Sequence, residues 1–374
     1  MKMTSRERIM AVINGKKPDR IPWVPLIGRY YVSSLPSMGI NLDDIVRTNK
    51  VKPPAVQKNL NLYEIETIKY VGADVLYRHV DSYRIIYHKS KEFTKIVDGV
   101  KYEGFETPVG TIFSKTENAT GTEFITKKLV ESYEDIKVLM HVMKNVEVQP
   151  NYQDYLEFDE YIADDGIATL TGPLTPLQLM LQFYMGIEKT TYALMDYPEE
   201  MEELFKLIHE FNQRVYKIMA EAPAMVIISY EDTSTTVISP KWYEDFCSNQ
   251  LNTYADILHS GSKTFIVHMC GKISRIVNLI AKGKMDGIDS VCPPTPGDIE
   301  PGEALSKLGK IIIGGLDPAL LQRMSVEDVE AYTLSKLRQI DEKDRFMLST
   351  GDSTAYGTPL ENLKAVTETI NNFG

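Results

Sequence analysis

Short apolar runs alternate with longer stretches of helical periodicity over most of this 374-residue chain. After Glu131 the order is regular. Windows with apolar positions at helical spacing cover 132–144, 176–195, 199–220, 240–258, 325–340 and 358–372. Between them lie continuous apolar runs at 167–170, 225–229, 264–267, 287–291, 310–313 and 346–348. A strand covered by helices on both faces reads as an unbroken apolar run, and strands alternating with helices mark a parallel sheet. Two more strands are predicted at 23–27 (Trp23-Val24-Pro25-Leu26-Ile27) and 74–80, making eight. The predicted fold is α/β, a (β/α)8 TIM barrel spanning 1–374 as one domain.

The N-terminal third departs from that rhythm. Ser5 to Asn14 reads as a short amphipathic helix, an N-terminal extension to the barrel, and a helical region is predicted near 53–70. Residues 83–126 carry β-rich runs (Ile85-Ile86-Tyr87, Phe93-Thr94-Lys95-Ile96-Val97, Thr111-Ile112-Phe113) separated by Asp98-Gly99 and Pro108-Val109-Gly110. Such runs punctuated by turn residues predict an inserted antiparallel meander. No internal repeat and no low-complexity segment interrupts the chain.

Composition narrows the function classes. With 41 Lys plus Arg against 52 Asp plus Glu, the net charge is −11, and no dense basic run offsets it. Phosphate backbones and anionic lipid surfaces are poor partners for such a chain, so no nucleic acid and no membrane is expected, and small molecules or proteins are. Three cysteines in so long a chain fit reduced thiols, and the first residues contain no apolar stretch of signal-peptide type. A cytoplasmic protein is expected. Cys247, Cys270 and Cys292 fall within 46 positions, close enough to suggest a shared site. A glycine-rich phosphate loop and a Gly-x-Ser-x-Gly elbow are both missing from the sequence.

In a barrel of this kind reactive groups stand at the C-terminal ends of strands. The residues that follow the apolar runs there are Gly172-Pro173, Glu231-Asp232, His268-Met269-Cys270-Gly271, Cys292-Pro293, Gly314-Gly315-Leu316-Asp317-Pro318 and Gly351-Asp352. His268 and Cys270 are two apart, so in an extended chain they share a face. Imidazole, thiolate and carboxylate are the ligands zinc takes, and a catalytic zinc site uses three of them with one position open. The same residues also admit a plain reading, with His268 a buried hydrogen-bonded histidine, Cys292 a packing residue, and Glu231, Asp232 and Asp352 caps or turn residues.

These segments resemble the uroporphyrinogen decarboxylase superfamily from end to end. The residues that carry the likeness are Thr4-Ser5-Arg6-Glu7-Arg8, Pro18-Asp19-Arg20-Ile21-Pro22, Gly28-Arg29-Tyr30, Gly172-Pro173-Leu174-Thr175 and 238–246. Towards the C-terminus they are His268-Met269-Cys270-Gly271, Gly315-Leu316-Asp317-Pro318, Gly351-Asp352 and 358–362. The superfamily comprises cofactor-free decarboxylases of porphyrinogens and zinc methyltransferases that exchange methyl groups with a corrinoid protein. The decarboxylases carry Arg-Gln-Ala-Gly-Arg-Tyr and Gly-His-Gly, where this chain has Pro25-Leu26-Ile27-Gly28-Arg29-Tyr30 and Gly351-Asp352-Ser353. One arginine and the histidine are missing, and a polycarboxylate substrate needs cationic partners.

The resemblance therefore implies the methyltransferase branch, with Zn2+ and a cobalamin (corrinoid) carried by a partner protein as cofactors. Coenzyme M methyltransferases of methanogens use His-x-Cys and a distant Cys; here His268 and Cys270 remain and Asp352 replaces the last. O-demethylases of acetogens show Glu, fourteen residues, Glu, twenty residues, His, a spacing that lands on Asp232 and Cys247 when counted back from His268. Both ligand sets stand open, with Glu231 a neighbouring catalytic residue beside Asp232 and His268. The expected reaction moves a methyl group from a small donor, an aromatic methyl ether, to cob(I)alamin of the partner. Trp23, Arg29, Tyr30, Tyr31, Tyr77 and Tyr83 are the candidate substrate-binding residues. Methyl transfer to a thiol ranks second and a decarboxylase third; a tetrapyrrole-binding protein without turnover is the non-enzymatic rival.

Overall fold

The computed structural model describes residues 2–46, 60–119 and 122–373. The predicted 53–70 helix is present as Leu60–Tyr70, and 53–59 lies outside the described residues. The first strand, β1 (Val75–Val80), opens the main sheet. Then come β2 (Tyr83–Tyr87), β3 (Lys91–Val97), β4 (Val100–Thr107), β5 (Gly110–Ala119), β6 (Thr122–Lys127) and β7 (Val146–Pro150). β3 to β6 form the antiparallel meander, whereas β2 pairs with β7 in a separate two-stranded sheet. The predicted boundary at 83 was therefore too early, because the partner of 83–87 lies across the helix Tyr133–Lys144 and sequence proximity could not reveal it.

The remaining strands are β8 (Gly166–Gly172), β9 (Val226–Glu231), β10 (Thr264–Met269), β11 (Gly287–Val291), β12 (Ile311–Leu316) and β13 (Phe346–Thr350). Together with β1 they make one curled parallel sheet in the order β1-β8-β9-β10-β11-β12-β13. It has seven strands, a half-barrel, where eight had been expected. The predicted strand at 23–27 is an isolated parallel bridge between Trp23 and Leu348. Pro22 and Pro25 explain this, since neither has an amide to donate to a ladder. The segment still runs between β13 and β1: Val24 N donates to Leu348 O at 2.9 Å, Leu348 N to Pro22 O at 2.9 Å, and Asp74 N to Trp23 O at 2.7 Å.

Alternation along the strands sorts side chains into two cores. Leu76, Ile167, Val226, Ile228, Ile266 and Ile313 meet inside the curl, and Ile9 and Val12 of the helix Ser5–Ile13 join them from the N-terminal side. That helix begins with a capping box between Thr4 and Glu7. It is tied down by Arg8, which bonds to Asp19 at 2.7 Å and to buried Asp74 at 2.6 Å. The opposite strand faces pack beneath the helices in a larger continuous core. Two helices contain π-helical segments, Met180–Tyr184 and Glu244–Ser248, and the predicted window 176–195 is broken at Gly186, which takes φ 85°. Among the described residues no helix is long and apolar enough to cross a membrane.

Candidate functional site

His268 lies near the end of β10 and points to the same side as Ile266, into the curl. Directly across the ladder stands Asp289 of β11, whose Oδ2 is 2.9 Å from His268 Nδ1. Its other oxygen, Oδ1, is 3.3 Å from Nη2 of Arg78 on β1. Burial by itself raises the pKa of Asp289, but the charge of Arg78 and the bond to His268 outweigh it and hold the carboxyl down at about 2. An ionised carboxylate only accepts hydrogen bonds, so Nδ1 of His268 donates to it, and in the neutral imidazole the lone pair lies on Nε2. Arg78 is fixed in turn by Val24 O at 3.1 Å, Leu76 O at 3.3 Å and Ser349 Oγ at 3.4 Å.

Around His268 gather the acidic groups that follow the strands. The carboxyl of Asp232, one residue past β9, is raised chiefly by burial, with Asp352 adding repulsion and His268 opposing it. The Cys270 thiol is pushed up to about 12 by burial, with Asp352, Asp232 and Asp289 contributing. His268, Asp232, Cys270 and Asp352 thus share one electrostatic neighbourhood at the C-terminal strand ends. Their chemistry, imidazole with thiol and carboxylates, fits a zinc ion. Among the described residues no three His, Cys, Asp or Glu side chains stand assembled as a metal-binding group.

Glu231 and Cys247 belong to a different place. Along β9, Glu231 shares the outward face with Ser229 while Tyr230 joins the inner core. Its carboxylate accepts from Thr175 N and Thr175 Oγ1, both at 2.7 Å, and the same hydroxyl lies 3.6 Å from Cys247 Sγ. Burial pushes Glu231 up to about 7 against these bonds, and burial also raises the Cys247 thiol. Of the predicted ligands, Asp232, Cys270 and Asp352 are therefore associated with His268, and Cys247 is associated with Glu231. All three cysteines are free thiols.

The candidate substrate-binding residues divide. Trp23, Tyr31 and Tyr77 are buried in the core, Tyr31 donating to Thr358 O at 2.9 Å and Tyr77 packing on Phe158 with ring centroids 4.7 Å apart. Arg29 and Tyr30 are exposed, and Tyr83 is half-buried. Tyr30 pairs with Tyr356 at 5.1 Å, and Arg29 Nε donates to Asn61 Oδ1 at 2.8 Å.

Sequence reasoning missed Arg78, His79, Tyr230 and Asp289. The register between β1 and β8 shifts between Tyr77 and Val80, and such an irregularity re-aims a side chain. The Arg78 carbonyl accepts from Thr171 Oγ1 at 3.0 Å, and His79 stacks on Tyr230 at 5.7 Å with 23° between the rings. Tyr230 also lies 4.9 Å from the His268 ring, with 34° between the planes. His79 keeps exposed surface, and desolvation of the rest of the ring, then the charges of Arg78 and Arg29, lower its pKa. The available signal was an Arg-His pair inside an otherwise apolar strand, where a buried charge demands a partner.

Comparison with known proteins places this architecture. No curated protein matches the chain. Among solved structures, a methyltransferase from Methanosarcina mazei is similar over 99% of both chains, at 16% identity and a TM-score of 0.63. A Listeria monocytogenes protein described as a vitamin B12-independent methionine synthase is 13% identical over 95% of this chain and 97% of that one, with a TM-score of only 0.38. The sequence profile named uroporphyrinogen decarboxylase (URO-D) matches residues 125–373. That match spans the strands bearing Glu231, Asp232, His268, Cys270, Asp289 and Asp352, and the chain belongs to the uroporphyrinogen decarboxylase (URO-D) family.

Proposed function

We propose that this protein is a zinc-dependent methyltransferase that takes a methyl group from a small donor, best an aromatic methyl ether, and delivers it to the cobalamin of a partner corrinoid protein. The observation that carries the reading is His268, fixed by the Asp289–Arg78 clamp with Nε2 free, beside Cys270, Asp232 and Asp352. Family membership and the shared fold with a Methanosarcina methyltransferase support it. His268 and two of those three acidic groups would hold the zinc. Bound there, the metal would supply Lewis acidity toward the oxygen that leaves when the methyl group departs.

The chain's own groups have separable tasks in this reading. Asp289 keeps His268 in one tautomer, a common arrangement for ligating histidines. Arg78 keeps Asp289 ionised. Tyr230, in ring contact with both His79 and His268, holds the two imidazoles beside each other. His79 offers a hydrogen-bonding nitrogen to the donor beside His268. A second reading, methyl transfer to a thiol, is favoured by the neighbourhood of Cys270 and Asp352, the ligand set that the resemblance to coenzyme M methyltransferases implies.

Metal analysis of the purified protein and of His268→Ala tests the metal: about one zinc in the first and none in the second is expected. Methyl transfer is then followed by absorbance, offering methoxyarenes and methylamines with reduced corrinoid protein, or methylcobalamin with thiols. Zinc bound without turnover in any arm would remove the methyltransferase assignment, and a wild-type protein that binds no zinc would remove the mechanism.

A further inference from the structure

Ser290, directly after Asp289 in β11, is buried and takes φ 75°. Among the described residues the other non-glycine positions with positive φ are Lys89, Asp98, Ala163 and Ser262, all exposed and none in a strand. Such backbone is unfavourable for a residue with a side chain, and it persists where the surroundings hold it. Its effect on β11 is a break in register. Ile288 pairs with Ile312 while Val291 pairs with Gly314, three steps on one strand against two on the other, so β11 carries one extra residue. A bulge of this kind re-aims side chains.

The re-aimed hydroxyl reaches beyond its own ladder. Ser290 Oγ donates at 2.5 Å to the carbonyl oxygen of Gly351, one residue past β13, although β12 stands between β11 and β13 in the sheet. The two segments touch directly there: a Cβ on Gly351 would lie 2.5 Å from Cys292 Sγ and 2.8 Å from Cys292 Cα, so glycine is what lets the turn come this close. Gly351 N donates to Leu316 O at 2.6 Å.

Two carboxylates flank this tie in the chain. Asp289 precedes Ser290 and holds His268 Nδ1, and Asp352 follows Gly351. Among the described residues the hydrogen bond to the Asp352 carboxylate comes from Ser353 N at 2.7 Å, inside the same turn. No bond from outside the turn anchors that side chain, so its place follows from its backbone.

We propose that Ser290 is a positioning residue of the strand-end site: through Gly351 O its hydroxyl fixes the turn carrying Asp352 against the strand carrying Asp289, and so sets Asp352 relative to His268. The inference rests on the metal reading of that site, with Asp352 among the groups that hold zinc.

Cobalt(II), whose visible bands report the geometry of its ligands, is titrated into wild-type protein, Ser290→Ala and Ser290→Gly. Alanine removes the hydroxyl and keeps the unfavourable backbone, whereas glycine removes the hydroxyl and adopts φ 75° freely. Both variants should bind cobalt about tenfold more weakly than wild type, with altered bands. Adding Ser290→Gly to Asp352→Ala should weaken binding no further, because the positioned group is already gone. In metal-free protein, hydrogen exchange at the Gly351 amide should be faster in both single variants. Wild-type binding by Ser290→Gly, an undiminished tenfold effect in the Asp352→Ala background, or unchanged exchange at Gly351 would each overturn the positioning role alone. A wild-type protein that binds neither cobalt nor zinc would remove the metal reading and this role together.

Discussion

Asp289 is the residue on which the strand-end chemistry turns, because it serves two buried groups at once. Asp289→Asn keeps the size but leaves Arg78 without a counter-charge, and an uncompensated buried charge costs about 3–5 kcal/mol. Urea unfolding should report that loss, and zinc affinity measured by competition with a chromophoric chelator should fall about 10–100-fold. Glu231 gives a pH signature. Its folded pKa, about 7, lies above its ordinary 4.5, so between these values the folded state binds more protons than the unfolded one. Stability contributed by this group therefore falls as pH rises from 4.5 towards 7, and Glu231→Gln should flatten the curve of unfolding free energy over that window. The sequence made His268, Asp232, Cys270 and Asp352 legible because each stands at or just past the end of an apolar run. It could not reveal Asp289 as a partner, since that depends on register between neighbouring strands, nor His79, which a local irregularity in β1 turns toward Tyr230.

Elements buried on both faces were the readable ones. The seven paired strands match the predicted runs to within a few residues, because unbroken Val and Ile stretches have no other economical place in a folded chain. Removing one such side chain should be felt strongly: Ile228→Ala, at the centre of the inner core and fully buried, is expected to cost about 2–5 kcal/mol in urea or thermal unfolding. Elements whose form depends on distant partners were not readable. β2 finds β7 some sixty residues on, and the segment at 23–27 is apolar enough for a strand but has prolines where amide donors would be needed. The π-helical turn Glu244–Ser248 likewise has no sequence signature; within it Phe246 packs edge-on to Phe205 while Cys247 meets Thr175, the partner of Glu231.

At the scale of the whole molecule, neighbouring strands of the main sheet are joined by parallel ladders, with register shifts between β1 and β8 and between β11 and β12, except along one line, between β13 and β1, where three backbone bonds through 22–24 stand in for a strand. Side chains make up the difference there: Trp23 N donates to Asp74 Oδ2 at 2.9 Å, Leu26 N to Thr350 Oγ1 at 3.0 Å, and Ser349 Oγ to Val24 O at 2.7 Å. Hydrogen exchange should find the amides of Val24 and Leu348 less protected than those of β9 and β10. Arg78 also reaches this line through Val24 O, so the arginine that keeps Asp289 ionised is at the same time a rivet in the wall's thinnest joint. Asp289→Asn should therefore speed exchange at Val24 and Leu348 while sparing β9, a mechanical slackening passed on by the one guanidinium nitrogen that bonds both Asp289 and Val24 O.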